Sequence, residues 1–301
     1  MTTPTLRPLS TPELLDRTFS IYRSRFLLFA GIIAVPNLLT LVVNLARIAA
    51  DPTAFSLQSA ASLSPSYFLW TLVTVVVSLA VLAASMGATA IGVSHVYLDR
   101  PITVVDALSR VMRRVPRLVL MMLIVGVAVV GLPLVAVMIT ALLAAIAWPL
   151  ALIGVPLVIG GLIFAVVDAL MWSLAVPVAA IEDKGILAAF ARSTQLTRGD
   201  RLRILLVVFL FVVIIWVVQI LITLPVGILA FFYATTRGGT MGFIPPWLQV
   251  FTVVSSLIAQ CVVGPLMTIA FVVLYYDNRV RKEAFDLELM MADVDGPPRN
   301  A

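Results

Sequence analysis

Charge and reactive side chains are what this sequence has least of. Only 12% of its 301 residues are charged, against 62% hydrophobic, and the mean hydropathy is +1.13. Soluble domains run near a quarter charged and half apolar, so a soluble globular enzyme is excluded. The single cysteine, Cys261, excludes an intrachain disulfide. The single histidine, His95, leaves nothing from which to build a multi-histidine metal centre, and no Cys/His cluster has zinc spacing. No metal and no cofactor is therefore expected. The N-terminal stretch MTTPTLRPLSTPELLDRTFS lacks a basic-then-apolar signal pattern, so the first apolar run is expected to act as an internal signal.

What the sequence has in abundance is apolar runs. A bilayer core needs roughly 20 apolar residues per crossing helix. Six stretches qualify, at 26–46, 67–98, 118–147, 157–180, 204–233 and 248–276. The block from Leu118 to Ile181 holds one charge, Asp168, and is too long for one crossing; its break is expected between Trp148-Pro149 and Gly154-Val155-Pro156. The reading is an all-α integral membrane protein with six spans in one domain over 11–290. Flexible segments are expected at 1–10 and 291–301.

The basic residues are unevenly distributed. Eighteen of the 20 fall in the N-terminal segment, the loops after spans two and four, and the tail, leaving Arg47 and Arg237 on the other side. Cytoplasmic loops retain Lys and Arg, so both termini are expected in the cytoplasm of a bacterial cell, with the chain in its inner membrane. Each basic segment before an odd-numbered span is also amphipathic, giving interfacial helices at 11–25, 102–116 and 185–197. The first carries Leu15, Phe19, Tyr22 and Phe26 at helical spacing, and Thr11-Pro12-Glu13 supplies its start. In the second, Thr103 and Asp106 have capping-box spacing. Acidic exits at Asp99, Glu182-Asp183 and Asp277 follow each pair of spans. The pattern is three units, each an amphipathic helix plus a hairpin. Beyond the last span, opposite charges four apart (Asp277 with Arg281, Arg279 with Glu283, Lys282 with Asp286) predict a solvated helix.

Few residues within the spans have chemistry to offer. Asp168 stands in mid-span with no lysine or arginine in any apolar core to pair with, and an intramembrane carboxylate is a functional candidate by default. Asn37 and Asn44, on one face of span one, together with Gln219, Gln260 and Thr140, are the groups that would hydrogen-bond it. Pro36, Pro133, Pro177, Pro225 and Pro265 interrupt five spans and predict kinks. Ala84, Ala88 and Gly92 mark a close-packing face. No catalytic set can be assembled. A carboxylate dyad would need a second buried acid, Ser94 points away from its neighbour His95 on a helix, and Gly238, Gly239 and Gly242 lead into no phosphate loop.

Three cytoplasmic stretches carry a resemblance: LRPLSTPELLDRTFSIYRSRF at 6–26, AIEDKGILAAFARSTQLTRGDRLRI at 180–204 and LYYDNRVRKEAFDLELM at 274–290. Together they resemble the bacterial glycerophosphoryl diester phosphodiesterase membrane-domain family. The tail pattern of Tyr276, Asp277, Arg279, Arg281, Glu283, Phe285 and Asp286 is its most specific part. The resemblance implies the membrane domain only. Relatives that hydrolyse phosphodiesters do so with a separate barrel carrying metal-binding acids and catalytic histidines, and this chain has one histidine.

Two functions fit. The first is a non-enzymatic scaffold or accessory subunit whose basic cytoplasmic side faces anionic lipid and a protein partner. Its contacts would come from Arg23, Arg25, Arg110, Arg113, Arg114, Arg117, Arg198, Arg201, Arg279 and Arg281. The second is a small transporter or lipid-handling permease working through Asp168. Nothing in the sequence points to nucleic acid.

Overall fold

The computed structural model describes residues 9–52, 64–98, 100–236 and 245–283. Outside them lie residues 1–8 of the N-terminal segment expected to be flexible, the whole expected tail at 291–301, Asp99, Arg237, the three glycines after it, and Phe285 and Asp286 with the Lys282–Asp286 pair. The described chain is helical with no strand among the described residues, and six of its helical stretches are long and apolar enough to cross a membrane. It is an all-α, multi-pass membrane protein.

The elements run α1 (Thr11–Ser24), α2 (Phe26–Ala50), α3 (Pro65–Tyr97), α4 (Val104–Met112), α5 (Val115–Gly126), α6 (Leu132–Ile146), α7 (Ala151–Met171), α8 (Ala175–Ile181), α9 (Ile186–Thr197), α10 (Arg201–Thr236) and α11 (Pro246–Glu283). The three short amphipathic helices α1, α4 and α9 each precede a pair of long apolar stretches. Their starts are made locally. Ser10, not Thr11, begins α1: the Glu13 carboxylate accepts both the Ser10 amide (2.7 Å) and its hydroxyl (2.8 Å). Thr103 and Asp106 form the reciprocal capping box at α4. Ser64 accepts the Tyr67 amide at the start of α3, with Pro65 in the first turn.

Proline decides where the long stretches bend. Pro133 has no N–H to give the preceding turn, and the helix answers with a π segment at Val127–Gly131, in which the Leu132 amide reaches Val127. Pro177 can neither donate to the Ser173 carbonyl nor avoid crowding it. The fourth stretch breaks there, with turns at Trp172–Leu174 between α7 and α8. Pro36, Pro156, Pro225 and Pro265 lie inside continuous helices.

The chain divides into two compact units. One comprises Met1–Thr18, Arg117–Val207 and Ala270–Ala301; the other comprises Phe19–Pro116 and Val208–Ile269. In the first, the hairpin turn is a 3-10 segment, Trp148–Leu150, so the fourth stretch starts at Trp148 rather than at 157. Gly154, expected in the turn, is instead helical and lies against Thr140, whose side chain any added Cβ would overlap. In the second unit, α2 packs on α3 along the small-residue face: Ala84 and Ala88 are buried, and a Cβ on Gly92 would meet Ile32 at 3.2 Å. Leu72, Val76, Leu142, Leu162 and Phe231 point outward, as side chains facing lipid do.

The Gly154 contact has a measurable consequence. Gly154→Ala is expected to destabilise the hairpin by about 1–3 kcal/mol through overpacking. Gly160→Ala on the same helix, where an added Cβ meets nothing within 4 Å, should leave the melting temperature in detergent the same or slightly higher, because alanine is the better helix former.

Candidate functional site

Two concentrations of polar side chains stand out, one in each unit. In the first unit, neighbouring ends of α8 to α11 meet in a network of ions. Asp277 is the most deeply set, its side chain fully buried. Arg203 reaches it at 2.6 Å and Arg281, one turn on, at 3.0 Å, while its other oxygen accepts the Leu9 amide at 2.7 Å. The same two arginines donate to the Leu9 carbonyl, at 2.6 Å and 2.5 Å. One buried carboxylate and two guanidinium groups thus hold the backbone N–H and C=O of a single residue, Leu9.

Beside this cluster, Glu182 accepts Tyr275 (2.7 Å) and Lys184 (2.7 Å) and faces Arg192 at 3.5 Å. Arg192 and Arg279 both bind Glu283, at 2.7 Å and 3.1 Å. Lys282 pairs with Asp200 at 3.1 Å and donates to the carbonyls of Leu196 and Arg198, closing the end of α9. Gly199, at φ +94°, makes the reversal into α10, a left-handed conformation that glycine adopts without penalty. Arg117 holds Asp183 at 2.6 Å. Burial alone would push the Glu182 carboxyl up. The hydrogen bonds from Lys184 and Tyr275, with the charges of Arg192 and Lys184, outweigh it and hold the group below the ordinary carboxylate value. The hydrogen bond to Glu283, foremost, raises Arg192.

This arrangement corrects the expected solvated end of α11. The Asp277–Arg281 and Arg279–Glu283 pairs exist, but they are drawn into packed contacts, and Lys282 turns to Asp200. Of the ten arginines expected to face lipid or a partner, Arg117, Arg279 and Arg281 are therefore engaged internally. Arg110 lies on His95, 2.9 Å from Nε2, whose Nδ1 faces the Ile91 carbonyl at 2.9 Å. Arg114 is half-buried. Arg23, Arg25, Arg113, Arg198 and Arg201 are exposed and form no ion pair among the described residues.

The second concentration is a polar slot in the other unit, enclosed by α2, α3 and the first half of α11. Two adjoining cavities of about 260 and 240 Å³ share Asn37, Thr40 and Gln260; Ser78 and Ser85 line the first, and Asn44, Thr252 and Ser256 the second. The structure thus brings Asn37, Asn44 and Gln260 together, as part of one lining. Gln219, on α10, does not line the slot; its carbonyl accepts Thr223. The hydrogen bonds expected to serve Asp168 go elsewhere. Asn37 and Asn44 each donate to the carbonyl one turn back on α2, at 2.8 Å, and Thr140 donates to Ala136. The physical reason is proximity, because an amide or hydroxyl on a helix always has its own preceding carbonyl within reach. Asp168 itself belongs to the first unit. It is buried, and its Oδ2 has no hydrogen-bond partner.

Sequence reasoning missed the slot's hydroxyls, although a signal was present. Asn37, Thr40 and Asn44 recur at helical spacing on α2, Thr252, Ser256 and Gln260 on α11, and Ser78 and Ser85 on α3. It also missed Asn278, fully buried next to Asp277 with neither amide atom matched.

Removing the carboxylate at the centre of the ionic network should be costly. Asp277→Asn leaves two arginines facing an uncharged amide and is expected to destabilise the protein by about 3–5 kcal/mol, read as a lowered melting temperature in detergent. Glu182 supplies a pH dependence. Its folded-state pKa lies below the ordinary value, so its contribution is complete above that value and is lost as pH falls through the depressed one. Melting temperature should therefore fall on acidification below the ordinary carboxylate range, and fall less steeply in Glu182→Gln.

Comparison with family models, with curated proteins and with solved structures finds no match to this chain.

Proposed function

We propose that this protein is a non-enzymatic scaffold or accessory subunit of the bacterial inner membrane. In this reading both termini are cytoplasmic, and the basic helix ends rest on anionic lipid beside a protein partner. What supports it is the division of the arginines. Most acids near the helix ends are engaged internally, Glu182, Asp183, Asp200, Asp277 and Glu283 by cations, Glu13 and Asp106 by helix caps, with Asp16 of α1 left exposed. Arg23, Arg25, Arg113, Arg198 and Arg201 remain exposed without carboxylates, and each basic group near an anionic surface contributes roughly 1 kcal/mol. The resemblance to the glycerophosphoryl diester phosphodiesterase membrane domain agrees with a role apart from hydrolysis.

The second reading, a permease working through Asp168, draws on the unmatched oxygen of that buried carboxyl. One comparison separates the two. Replacing all five exposed arginines by Gln should lower co-purifying anionic phospholipid, measured by native mass spectrometry, at least tenfold, with Asp168→Asn leaving it unchanged. Retained lipid in the five-residue variant, with cellular function abolished in Asp168→Asn, would overturn the scaffold in favour of the permease.

A further inference from the structure

We propose that the slot between α2, α3 and α11 binds an uncharged, polyhydroxylated headgroup. The sugar of a glycolipid is the occupant that best fits its position. At about 1.5 Å per residue, Asn37 lies roughly 16 Å along α2 from Phe26 and Ser85 roughly 18 Å along α3 from Tyr97. Both are therefore near the middle of a hydrocarbon core about 30 Å thick. Polar side chains from three helices converging at that depth cost free energy unless something hydrogen-bonds them.

The chemistry of the lining selects the ligand. No residue around either cavity is ionisable, so a charged headgroup would be desolvated there without a counter-charge. Asn37, Asn44, Thr252 and Ser256 spend donors on carbonyls of their own helices, leaving amide oxygens and hydroxyl lone pairs turned outward as acceptors. A phosphate accepts only and would leave these oxygens unmatched, whereas a sugar's hydroxyls can donate to them and accept from neighbouring donors in turn. Donors remain to bind the ligand's oxygens, among them the second N–H of each asparagine and the hydroxyls of Thr40 and Ser85, which are buried with no partner; Ser85 is only 3% exposed.

Size and access agree. At roughly 30 Å³ per water, the larger cavity holds the equivalent of about eight waters, enough for a monosaccharide ring. Gly264 contributes a wall without a side chain, and Gln260, exposed, stands at the mouth. Leu82 beside it is also exposed, so acyl chains can lie against an apolar surface while the headgroup enters from the side. A free sugar presents the same hydroxyl chemistry.

The test uses full-length protein in phosphatidylcholine nanodiscs with four probes: monoglucosyl diacylglycerol, dioleoylglycerol, phosphatidylglycerol and free glucose. Native mass spectrometry should find the glucolipid retained at least tenfold over dioleoylglycerol, and at least tenfold over phosphatidylglycerol once Arg23, Arg25, Arg113, Arg198 and Arg201 are replaced by Gln. The Ser85→Ala/Gln260→Leu double variant should lose about tenfold of that retention. Neither replacement removes a protein hydrogen bond, so its melting temperature should match the parent's. Glucose binding as tightly as the glucolipid, and weakened in the same variant, supports the same site with a soluble occupant. Glucolipid retained no better than dioleoylglycerol with glucose unbound, phosphatidylglycerol still preferred with the five arginines replaced, or glucolipid binding unchanged in the Ser85/Gln260 variant, would each overturn the proposal.

Discussion

In hydrocarbon a backbone amide that loses its partner has no water to turn to, and this constraint governs the whole chain. It explains why the described residues are helical and why each departure from regular helix coincides with a proline or a turn. The π segment before Pro133 and the break before Pro177 solve one problem differently. The first keeps a donor on every carbonyl it can by lengthening the hydrogen-bond step. The second stops the helix and starts another. That break comes one turn after Asp168, whose carbonyl accepts the Trp172 amide that ends α7.

Charge follows the same economy at the helix ends. Carboxylates are scarce, 15 against 20 lysines and arginines, so which arginines turn inward is settled by where the acids sit. Asp277 takes two and Glu283 takes two. A buried carboxylate satisfied by guanidinium groups and a backbone amide is well matched, and its removal would strand cations rather than free them. The arginines without acids are those on the surfaces of α1, α4 and the α9–α10 turn. A basic surface is thus the remainder after internal pairing.

Much of the fold was legible in the sequence because hydropathy and helical spacing are local. Six apolar runs correspond to six long stretches, Thr103 and Asp106 form the box their spacing suggests, and Ala84, Ala88 and Gly92 do pack. The hairpin turn lies at Trp148–Leu150, the leading edge of the expected break, and only the extension of that break to Gly154 and Pro156 fails, because glycine and proline were read as breakers. Here the glycine serves a close approach to Thr140. The candidate site was less legible. Asp277 meets Arg203 and Leu9 across long sequence separations, which no local pattern encodes. Asp168 drew attention as the one charge in an apolar block, whereas Asn37, Asn44 and Gln260 belong with hydroxyls that hydropathy alone does not distinguish.

Leu9 is gripped through its backbone, by the two peptide groups that flank its Cα: the N–H by Asp277, the carbonyl by Arg203 and Arg281. Such a grip is blind to side-chain identity, apart from proline, which has no amide hydrogen to offer. Position nine is therefore free to drift in composition, while the register of the leading segment is not. An insertion or deletion between Leu9 and the first turn of α1 would slide a different residue into the clasp and pull the helix along its axis.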